Sequence, residues 1–242
     1  MSFDATKLSA HSSVARKAGK ARLVRINRGA QRPREISKTL YARNFKRAFD
    51  IAFSLLILPI VAPVLLVLFV LVRAEGAPAI FAHERVGKGN KRFKCYKLRT
   101  MKVDADQILK DLCASDPKIA AEWHRYQKLE NDPRITKLGR FLRATSLDEL
   151  PQIWNVLLGD MSVVGPRPYT PDQEDLYENA GGWAYAQLRP GITGLWQIEG
   201  RNATTFGDRA RYDNLYGRTC SFINDLGLIL RTVTVIFART GS

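Results

Sequence analysis

An apolar run at residues 51–72 constrains this chain more than any other feature. It reads IAFSLLILPIVAPVLLVLFVLV, 22 residues without a charge and with Ser54 as the only hydroxyl. As one straight helix it would be about 33 Å long, enough to cross the hydrocarbon core of a bilayer. Pro59 and Pro63 lie near its middle, and a proline inside a helix removes a backbone hydrogen bond and clashes with the preceding turn. A break there would leave two arms of about 18 Å each, which reach only the middle of the bilayer.

Three interpretations of the run stay open from its residues alone. Lys and Arg flank it on both sides, whereas a single span usually has its positive excess on the cytoplasmic side only. Cationic flanks at both ends therefore suit a re-entrant hairpin that enters the membrane and returns to the same side. A single kinked span is an alternative, because proline is tolerated in membrane-spanning helices. A buried core helix of a water-soluble protein is the third.

The N-terminal part of the chain is strongly basic. Residues 1–47 hold 13 Lys and Arg against Asp4 and Glu35, and they supply most of the net charge of +15. The first 40 residues show no sustained apolar periodicity, so we predict a basic, mostly disordered tail over residues 1–43. Beside a membrane segment, its expected partner is an anionic lipid bilayer and not nucleic acid. A solvated leader without a specific partner is the alternative.

From residue 76 onward the chain has the composition of a water-soluble domain. Two short apolar and aromatic stretches, 79–86 and 92–101, flank a Gly-Lys-Gly-Asn loop and predict a β-hairpin. Most of the remainder has helical spacing. The apolar segment 221–239, with interspersed charges, predicts either a helix on the membrane surface or an ordinary core helix. Three scattered cysteines and three histidines give neither a disulfide framework nor a zinc spacing, which favours a reducing, cytoplasmic setting.

Charged residues crowd the start of a helix predicted over residues 147–158. Asp148 and Glu149 are adjacent there, and they follow Arg140 and Arg143. A carboxylate can attack phosphorus and form a covalent acyl phosphate. A second carboxylate can hold Mg²⁺, which takes its other ligands from phosphates and water. Arginines can offset charge on a transferring phosphate, so the segment predicts phosphoryl chemistry.

A purely structural interpretation of the same segment is equally available from the residues. Ser146-x-x-Glu149 matches a capping box, in which the two side chains satisfy backbone groups at a helix start and no function is needed. Pro151 argues against that start, because it would then lie beyond the first turn. A helix that begins nearer Asp148 accommodates this proline better.

Seven motifs occur together and in order along the chain. They are KRAFD at residues 46–50, the proline-broken apolar run, YKLRTM at 96–101, SLDELPQ at 146–152, NVLLGDMSVVGPRP at 155–168, RPGITGLWQ at 189–197 and GRN at 200–202. Together they resemble the bacterial polyprenyl-phosphate phosphoglycosyl transferases with a monotopic membrane fold, over about residues 44–240. The insertion at residues 104–132 resembles the subgroup that makes galactosyl-1-phosphate carriers for exopolysaccharide.

This resemblance implies a ping-pong reaction. Asp148 would attack the sugar-side phosphate of a UDP-sugar, UMP would leave, and undecaprenyl phosphate would then take the phosphosugar from the enzyme. Glu149 would be the ligand of a Mg²⁺ cofactor. The implied donors are UDP-galactose or UDP-glucose, with an N-acetylated UDP-sugar as an alternative. A catalytically inactive membrane scaffold of a polysaccharide assembly complex is the competing hypothesis from another class.

The resemblance also assigns roles to six basic residues. Arg143 and Arg167 would contact phosphates or nucleotide. Lys97 and Arg99 would extend the cationic wall, with ordinary surface charge as the alternative. Arg189 and Arg201 would lie on neighbouring loops and have less specific roles.

The fold implied is α+β and mainly helical, in three parts. A basic tail (residues 1–43) precedes a proline-broken re-entrant membrane helix (44–75) and a cytoplasmic catalytic domain (76–242) with a small β-hairpin and amphipathic interfacial helices. The hairpin would break at Pro63, where Ala62 replaces the serine of many relatives, and Pro59 would supply a second bend. The protein would be monotopic in the bacterial cytoplasmic membrane with its domain on the cytoplasmic face, and a homodimer is left open.

Overall fold

Residues 35–126, 129–200 and 204–237 are described by a computed structural model. This part of the chain is mainly helical with two small pairs of strands, which confirms the mainly helical class. Residues 1–34 of the predicted basic tail lie outside the described residues. The helices are α1 (Lys46–Ala74), α2 (Ala105–Ser115), α3 (Pro117–Tyr126), α4 (Lys137–Thr145), α5 (Gln152–Leu158), α6 (Glu174–Asn179), α7 (Leu195–Glu199), α8 (Phe206–Thr219) and α9 (Phe222–Phe237), and the strands are β1 (Ile80–Val86), β2 (Arg92–Leu98), β3 (Ser162–Val164) and β4 (Gly191–Thr193).

The apolar run forms one helix, α1, that continues through Pro59 and Pro63 without an interruption. The prolines predicted a break into two arms, and the backbone instead keeps helical conformation across both of them. Within the described ranges, the segment Tyr41–Ala74 is long and apolar enough to cross a membrane by length and composition. Its middle turns are largely exposed on the protein.

Both ends of α1 are nevertheless held by the same domain. At the N-terminal end, the Arg47 guanidinium donates to the carbonyl oxygens of Val156 (2.6 Å) and Leu157 (3.0 Å). At the C-terminal end, Leu68 and Val72 are buried against side chains of the hairpin and of α4. The two contact regions flank the exposed middle turns.

The charged residues of the KRAFD motif anchor the start of α1. Lys46 Nζ lies 2.8 Å from an Asp225 carboxylate oxygen on α9. Two tyrosine hydroxyls, those of Tyr41 and Tyr216, also donate to the Asp225 carboxylate. Asp50 accepts a hydrogen bond from the backbone N–H of Val163 on β3 (3.0 Å). Buried charges are tolerated when they are paired in this way, so the motif joins α1 to the domain core.

Strands β1 and β2 form the antiparallel hairpin that the sequence predicted. Ile80 pairs with Leu98 and Val86 with Arg92, and the loop between them contains Gly89 at φ +68°. Because side chains alternate between the faces of a sheet, one face carries every second residue of both strands. The face that carries Lys97, which lines the site described below, also carries Phe81, His83, Arg85, Phe93 and Cys95.

The main apolar core lies beneath the second, parallel strand pair. In it, Ser162 pairs with Gly191 and Val164 with Thr193. Residues of α5, β3, α8 and α9 bury their apolar side chains together there, among them Val156, Met161, Val164, Tyr216 and Leu228.

The helix predicted over residues 147–158 is wrong in its first turn. A 3₁₀ turn, Leu147–Glu149, is followed by a separate helix, α5, that begins at Gln152. Pro151 has no N–H to donate to residue 147 and its ring crowds that carbonyl, so an α-helix cannot run through it unbroken. The acidic pair therefore lies on a tight turn before α5.

Candidate active site

Asp148 is placed by a tight connection between α4 and α5. Helix α4 ends at Thr145, and Ser146 adopts a left-handed conformation (φ 58°) that redirects the chain into the 3₁₀ turn. Ser146 makes no side-chain capping bond, so the capping box that the sequence allowed is not formed. Asp148 is only 9% exposed. A buried carboxylate without a capping role is a candidate for chemistry.

Glu149 is held between two cations. Lys97 Nζ on β2 donates to Glu149 Oε1 at 2.7 Å, and Arg167 Nη2 donates to the same oxygen at 2.9 Å. Arg167 lies in the Gly-Pro-Arg-Pro loop, which is fixed because Gly165 and Gly191 meet backbone to backbone. A Cβ on Gly165 would overlap the Arg189 carbonyl oxygen, so only glycine fits there.

The two carboxyl groups are shifted in opposite directions. Burial raises the pKa of Asp148, and the nearby Lys97, Arg143 and Arg167 offset this only in part. Burial also acts to raise the pKa of Glu149, but Arg167 and Lys97 outweigh it and hold that pKa well below its usual range. Desolvation therefore dominates at one carboxyl and charge pairing at its neighbour. Such a divided pair suits one reactive carboxylate beside one that remains ionised.

Arg143 is oriented toward Asp148 by the end of the hairpin. Its Nε donates to the Thr100 hydroxyl at 2.9 Å. The first turn of α4 approaches Thr100 closely, because Gly139 packs directly on the Thr100 backbone and a Cβ there would overlap its carbonyl oxygen. Arg143 and Asp148 line the same cavity.

That cavity, which we call the donor cavity, has a volume of about 480 Å³. It brings together six of the residues that the sequence and the resemblance indicated, namely Asp148, Glu149, Arg143, Arg167, Lys97 and Arg99. The sequence analysis missed three further basic side chains in its wall, His83, Arg85 and Lys102. For His83 and Arg85 the alternation of β1 was the available signal, since it places both on the same hairpin face as Lys97.

The other predicted basic residues behave differently. Arg99 lines the donor cavity, but its Nε is occupied by the Pro78 carbonyl oxygen at 2.9 Å. Arg189 is turned away from the donor cavity and donates to the Gly159 carbonyl oxygen at 2.8 Å. Arg201 lies outside the described residues. Arg189 therefore supports the loop after α5 and does not join the acidic pair.

A second, largely apolar cavity of about 230 Å³ meets the same turn from the side of α1. Phe53, Ile57 and Val61 of α1 form one wall, and Ile229 and Val233 of α9 form another. Glu149, Arg167 and Ser146 also line it. We call it the acceptor cavity. It joins apolar walls to the charged turn that carries Asp148.

The acidic pair provides the carboxylate ligands that a magnesium ion needs when a substrate supplies phosphate oxygens. Mg²⁺ usually takes one or two protein carboxylates and completes its shell with phosphate oxygens and water. Glu149 Oε1 is occupied by Lys97 and Arg167, whereas Glu149 Oε2 accepts only a long contact of 3.5 Å from Arg167. Across the described ranges no group of three or more His, Cys, Asp or Glu is arranged to hold a metal. These residues therefore fit a magnesium site that is completed by substrate phosphates better than one built from protein ligands alone.

Comparison with known proteins assigns the chain to a family. A model of the family described as bacterial sugar transferase matches residues 41–239. An undecaprenyl-phosphate galactose phosphotransferase of Salmonella typhimurium is 45% identical over 201 residues, which cover 83% of this chain and 42% of that protein. The exopolysaccharide production protein ExoY of Sinorhizobium fredii is 39% identical over 198 residues, which cover 81% of this chain and 87% of that protein.

A third relative, the UDP-glucose:undecaprenyl-phosphate glucose-1-phosphate transferase of Klebsiella pneumoniae, is 41% identical over 197 residues, which cover 78% of this chain and 39% of that protein. The chain thus spans about two fifths of the length of the Salmonella and Klebsiella relatives and most of the length of ExoY. The family match extends from the turn before α1 to the end of α9 and includes every element that builds the site. The chain belongs to the bacterial sugar transferase family.

Proposed function

We propose that the protein transfers a hexose-1-phosphate from a UDP-sugar to undecaprenyl phosphate through a phosphosugar intermediate on Asp148, as the first membrane step of exopolysaccharide biosynthesis. The observation that carries this proposal is the turn 147–149. There a buried carboxylate lies beside one held by Lys97 and Arg167, where a cationic cavity meets an apolar one. The names of the relatives, which include undecaprenyl-phosphate sugar transferases and an exopolysaccharide production protein, support the substrate classes.

In the first half-reaction the attacking group and the cations around the transferring phosphate come from the donor cavity. An oxygen of the Asp148 carboxylate forms a bond to the sugar-side phosphorus, and the bond from that phosphorus to the bridging oxygen breaks. The electron pair of the broken bond leaves on UMP. Lys97, Arg143 and Arg167 stabilise the charge that develops on the transferring phosphate. Glu149 fixes two of these cations in place and does not itself attack.

The second half-reaction uses the acceptor cavity. A phosphate oxygen of undecaprenyl phosphate attacks the same phosphorus, and the Asp148 carboxylate leaves as an ion. The phosphate end of the polyprenyl chain would enter between α1 and α9, whose facing side chains are apolar. The lipid phosphate would then lie next to Arg167, which lines the same cavity. A water-soluble donor and a lipid acceptor thereby reach one transferring phosphorus from separate cavities.

Magnesium belongs to this proposal as a cofactor that Glu149 holds together with phosphate oxygens of the donor. Bound there, the ion would neutralise phosphate charge and orient the diphosphate. Asp148 stays free to act as the nucleophile, because its neighbour supplies the metal-binding carboxylate.

The proposed topology is re-entrant, in the cytoplasmic membrane of a bacterium with the catalytic domain on the cytoplasmic face. The contacts at both ends of α1 support it. Arg47 near the start and Val72 near the end touch the same domain, and a spanning helix would carry one of its ends to the opposite side. The outward face of α9 supports contact with lipid, since it exposes Phe222, Ile223, Leu226, Leu230 and Val233.

A donor panel tests the proposal. The full chain, reconstituted in lipid nanodiscs with Mg²⁺ and undecaprenyl phosphate, is incubated separately with UDP-galactose, UDP-glucose and N-acetylated UDP-sugars, and UMP is measured. We expect release with UDP-galactose or UDP-glucose and none from the matched Asp148→Asn protein. Release only with an N-acetylated donor would change the sugar assignment. No release with any donor would favour an inactive scaffold.

A further inference from the structure

A third cavity, of about 260 Å³, opens from the other side of Glu149. It shares Arg85, Lys97, Glu149 and Arg167 with the donor cavity, but Asp148 does not line it. Its remaining walls come from Cys95 on β2, Gln152, Pro168, Gln173, Trp196 and Arg209. We call it the rear chamber. Four cationic side chains face one carboxylate there, so its chemistry is that of an anion site.

Arg209 is built firmly into the rear chamber. It is 4% exposed and its guanidinium lies over the rings of Tyr169, Tyr177 and Trp196, at 5.7, 6.0 and 5.4 Å from their centroids. Asp213 on the same helix, α8, is 3.6 Å from its Nε. Rigid stacking of this kind fixes the plane of a guanidinium and suits it to a planar or bidentate partner.

Arg85 faces both the rear chamber and the donor cavity. Among the described residues, its guanidinium makes one side-chain hydrogen bond, with His83 Nδ1 at 3.2 Å, and no ion pair with a carboxylate. Burial lowers its pKa, and Arg167 and Arg209 lower it further. A half-buried cation surrounded by other cations gains most from an anionic ligand.

The direction of phosphoryl transfer connects these residues to the reaction. In displacement at phosphorus the attacking and leaving oxygens lie roughly in line, on opposite sides of the transferring group. Lys97 and Arg167 border both cavities and are the residues proposed to hold that group. Asp148 lies on the donor-cavity side, so the leaving oxygen points away from that cavity. Neither the acceptor cavity nor the rear chamber is lined by Asp148, but the acceptor cavity is largely apolar and the rear chamber is cationic, so the leaving phosphate is assigned to the rear chamber.

We infer that the rear chamber receives the leaving nucleoside monophosphate, with Arg85 and Arg209 as the residues that contact its phosphate. This inference rests on the proposed function, because it takes UMP as the leaving group. The bond and electron balance are those of the first half-reaction: the bridging oxygen keeps the electron pair and becomes the terminal phosphate oxygen of UMP. The two arginines stabilise that charge as it appears, and they then hold the product.

Equilibrium dialysis of radiolabelled UMP against the full chain in nanodiscs tests this inference. The variants are Arg85→Gln, which removes a charge, and Arg209→Lys, which keeps the charge opposite Asp213 but loses the stacked, forked group. Lys94→Gln is the matched control, because Lys94 precedes Cys95 on β2 and is exposed on the opposite hairpin face. We expect each arginine variant to weaken UMP binding about tenfold, since charge-assisted hydrogen bonds to phosphate are strong, and the control to bind as the wild type does.

The outcomes separate this inference from the proposed function. If the wild-type chain turns over a UDP-sugar but both arginine variants bind UMP with wild-type affinity, the inference alone is overturned. Loss of binding in Arg85→Gln with full binding in Arg209→Lys also overturns it, because the nucleotide would then lie in the donor cavity. A wild-type chain that neither binds UMP nor releases it contradicts both. Thermal unfolding of each variant confirms that the protein dialysed is folded.

Discussion

At the residue scale, two neighbouring carboxylates have opposite electrostatic environments. Asp148 is buried with incomplete compensation, and burial raises its pKa. Glu149 is paired with Lys97 and Arg167, which hold its pKa low. Groups shifted in opposite directions contribute to folding stability with opposite sign, so the two positions should respond differently to the same kind of substitution.

Asp148→Asn should abolish turnover and at the same time raise thermal stability. The neutral amide is a poor nucleophile. The folded-state pKa of Asp148 lies above its unfolded value, so ionising this group at neutral pH costs folding free energy that an uncharged side chain does not. Thermal unfolding at pH 7 with UMP release as the activity measurement checks both parts. An inactive variant with a lower melting temperature would show that Asp148 is not a destabilised charge.

Glu149→Gln should lower the stability of the protein. It leaves Lys97 and Arg167 partly buried without their shared carboxylate, which should cost roughly 2 kcal/mol in the free energy of unfolding. The pKa of Glu149 is depressed in the folded state, so its stabilising contribution is present above the unfolded pKa and is lost as pH falls through the folded value. Denaturant unfolding at pH 7 measures the loss. Stability equal to that of the wild type would contradict the pairing.

The pH dependence of the first half-reaction should report on Asp148. Its ionised form attacks, so the rate falls on acidification, and the raised pKa puts this fall at a higher pH than an exposed aspartate would give. Lys97 lowers the pKa of Asp148, so Lys97→Gln should move the acid limb to still higher pH. Single-turnover UMP release across pH measures it, with Lys94→Gln as the charge-matched control. If the acid limb of the pH profile does not move in Lys97→Gln, a group other than Asp148 controls the rate.

Sequence alone identified the acidic pair and four of the cations around it. It could not separate a catalytic Glu149 from a capping one, because that choice depends on Lys97 and Arg167, which are distant in the chain. It missed Arg85 and His83, whose positions depend on the hairpin register. It placed Arg189 near the site, whereas a bond to the Gly159 carbonyl oxygen turns that side chain elsewhere.

At the element scale, α4 and the hairpin fix the position of Arg143. Gly139→Ala should destabilise the protein by about 2 kcal/mol, because the added methyl group overlaps the Thr100 carbonyl oxygen and α4 must move. The same shift would separate Arg143 from the Thr100 hydroxyl and lower activity. Denaturant unfolding and UMP release measure the two effects.

Gly227→Ala is the matched control for that substitution. Gly227 lies within α9, and a Cβ built on it meets nothing within 4 Å. Since alanine is the better helix former, this variant should be neutral or more stable by up to about 1 kcal/mol. Equal losses in both glycine variants would show that the close approach to Thr100 is not the cause.

Sequence patterns predicted correctly those elements whose conformation depends mainly on residues close together in the chain. The hairpin follows from two short apolar and aromatic stretches around Gly-Lys-Gly-Asn, and it is confirmed, although the second strand ends at Leu98 and not at residue 101. The helix predicted over 147–158 failed because the left-handed Ser146 and Pro151 divide it. Helix α1 is continuous through both prolines, which differs from the predicted break, although the sequence also left a single span open as an alternative. Its two ends pack on the domain.

At the scale of the whole molecule, the attachment of α1 to the domain at both ends predicts that residues before and after it lie on the same side of the membrane. Lys38 and Lys91 are exposed positions before and after α1. Single cysteines placed there, with the three native cysteines replaced, should both be protected from an impermeant thiol reagent in intact cells. Labelling at residue 38 with protection at residue 91 would establish a spanning helix and exclude the re-entrant one.

The two prolines should matter to that topology. Replacing Pro59 and Pro63 by leucine restores every backbone hydrogen bond of a continuous apolar helix of spanning length. We expect a measurable fraction of this variant to expose residue 38 on the outside. Full protection of residue 38 in the leucine variant would show that contacts with the domain, and not the prolines, determine the path.

The measurement that tests the central claim most directly is capture of the intermediate. The full chain is incubated with Mg²⁺ and a UDP-sugar labelled in the sugar-side phosphate, without undecaprenyl phosphate. Label should become covalently attached to the wild-type protein at Asp148, with UMP released in equal amount, and it should leave when the lipid phosphate is added. Asp148→Asn should take up none. Normal labelling of Asp148→Asn, or UMP release that requires both substrates together, would contradict the account.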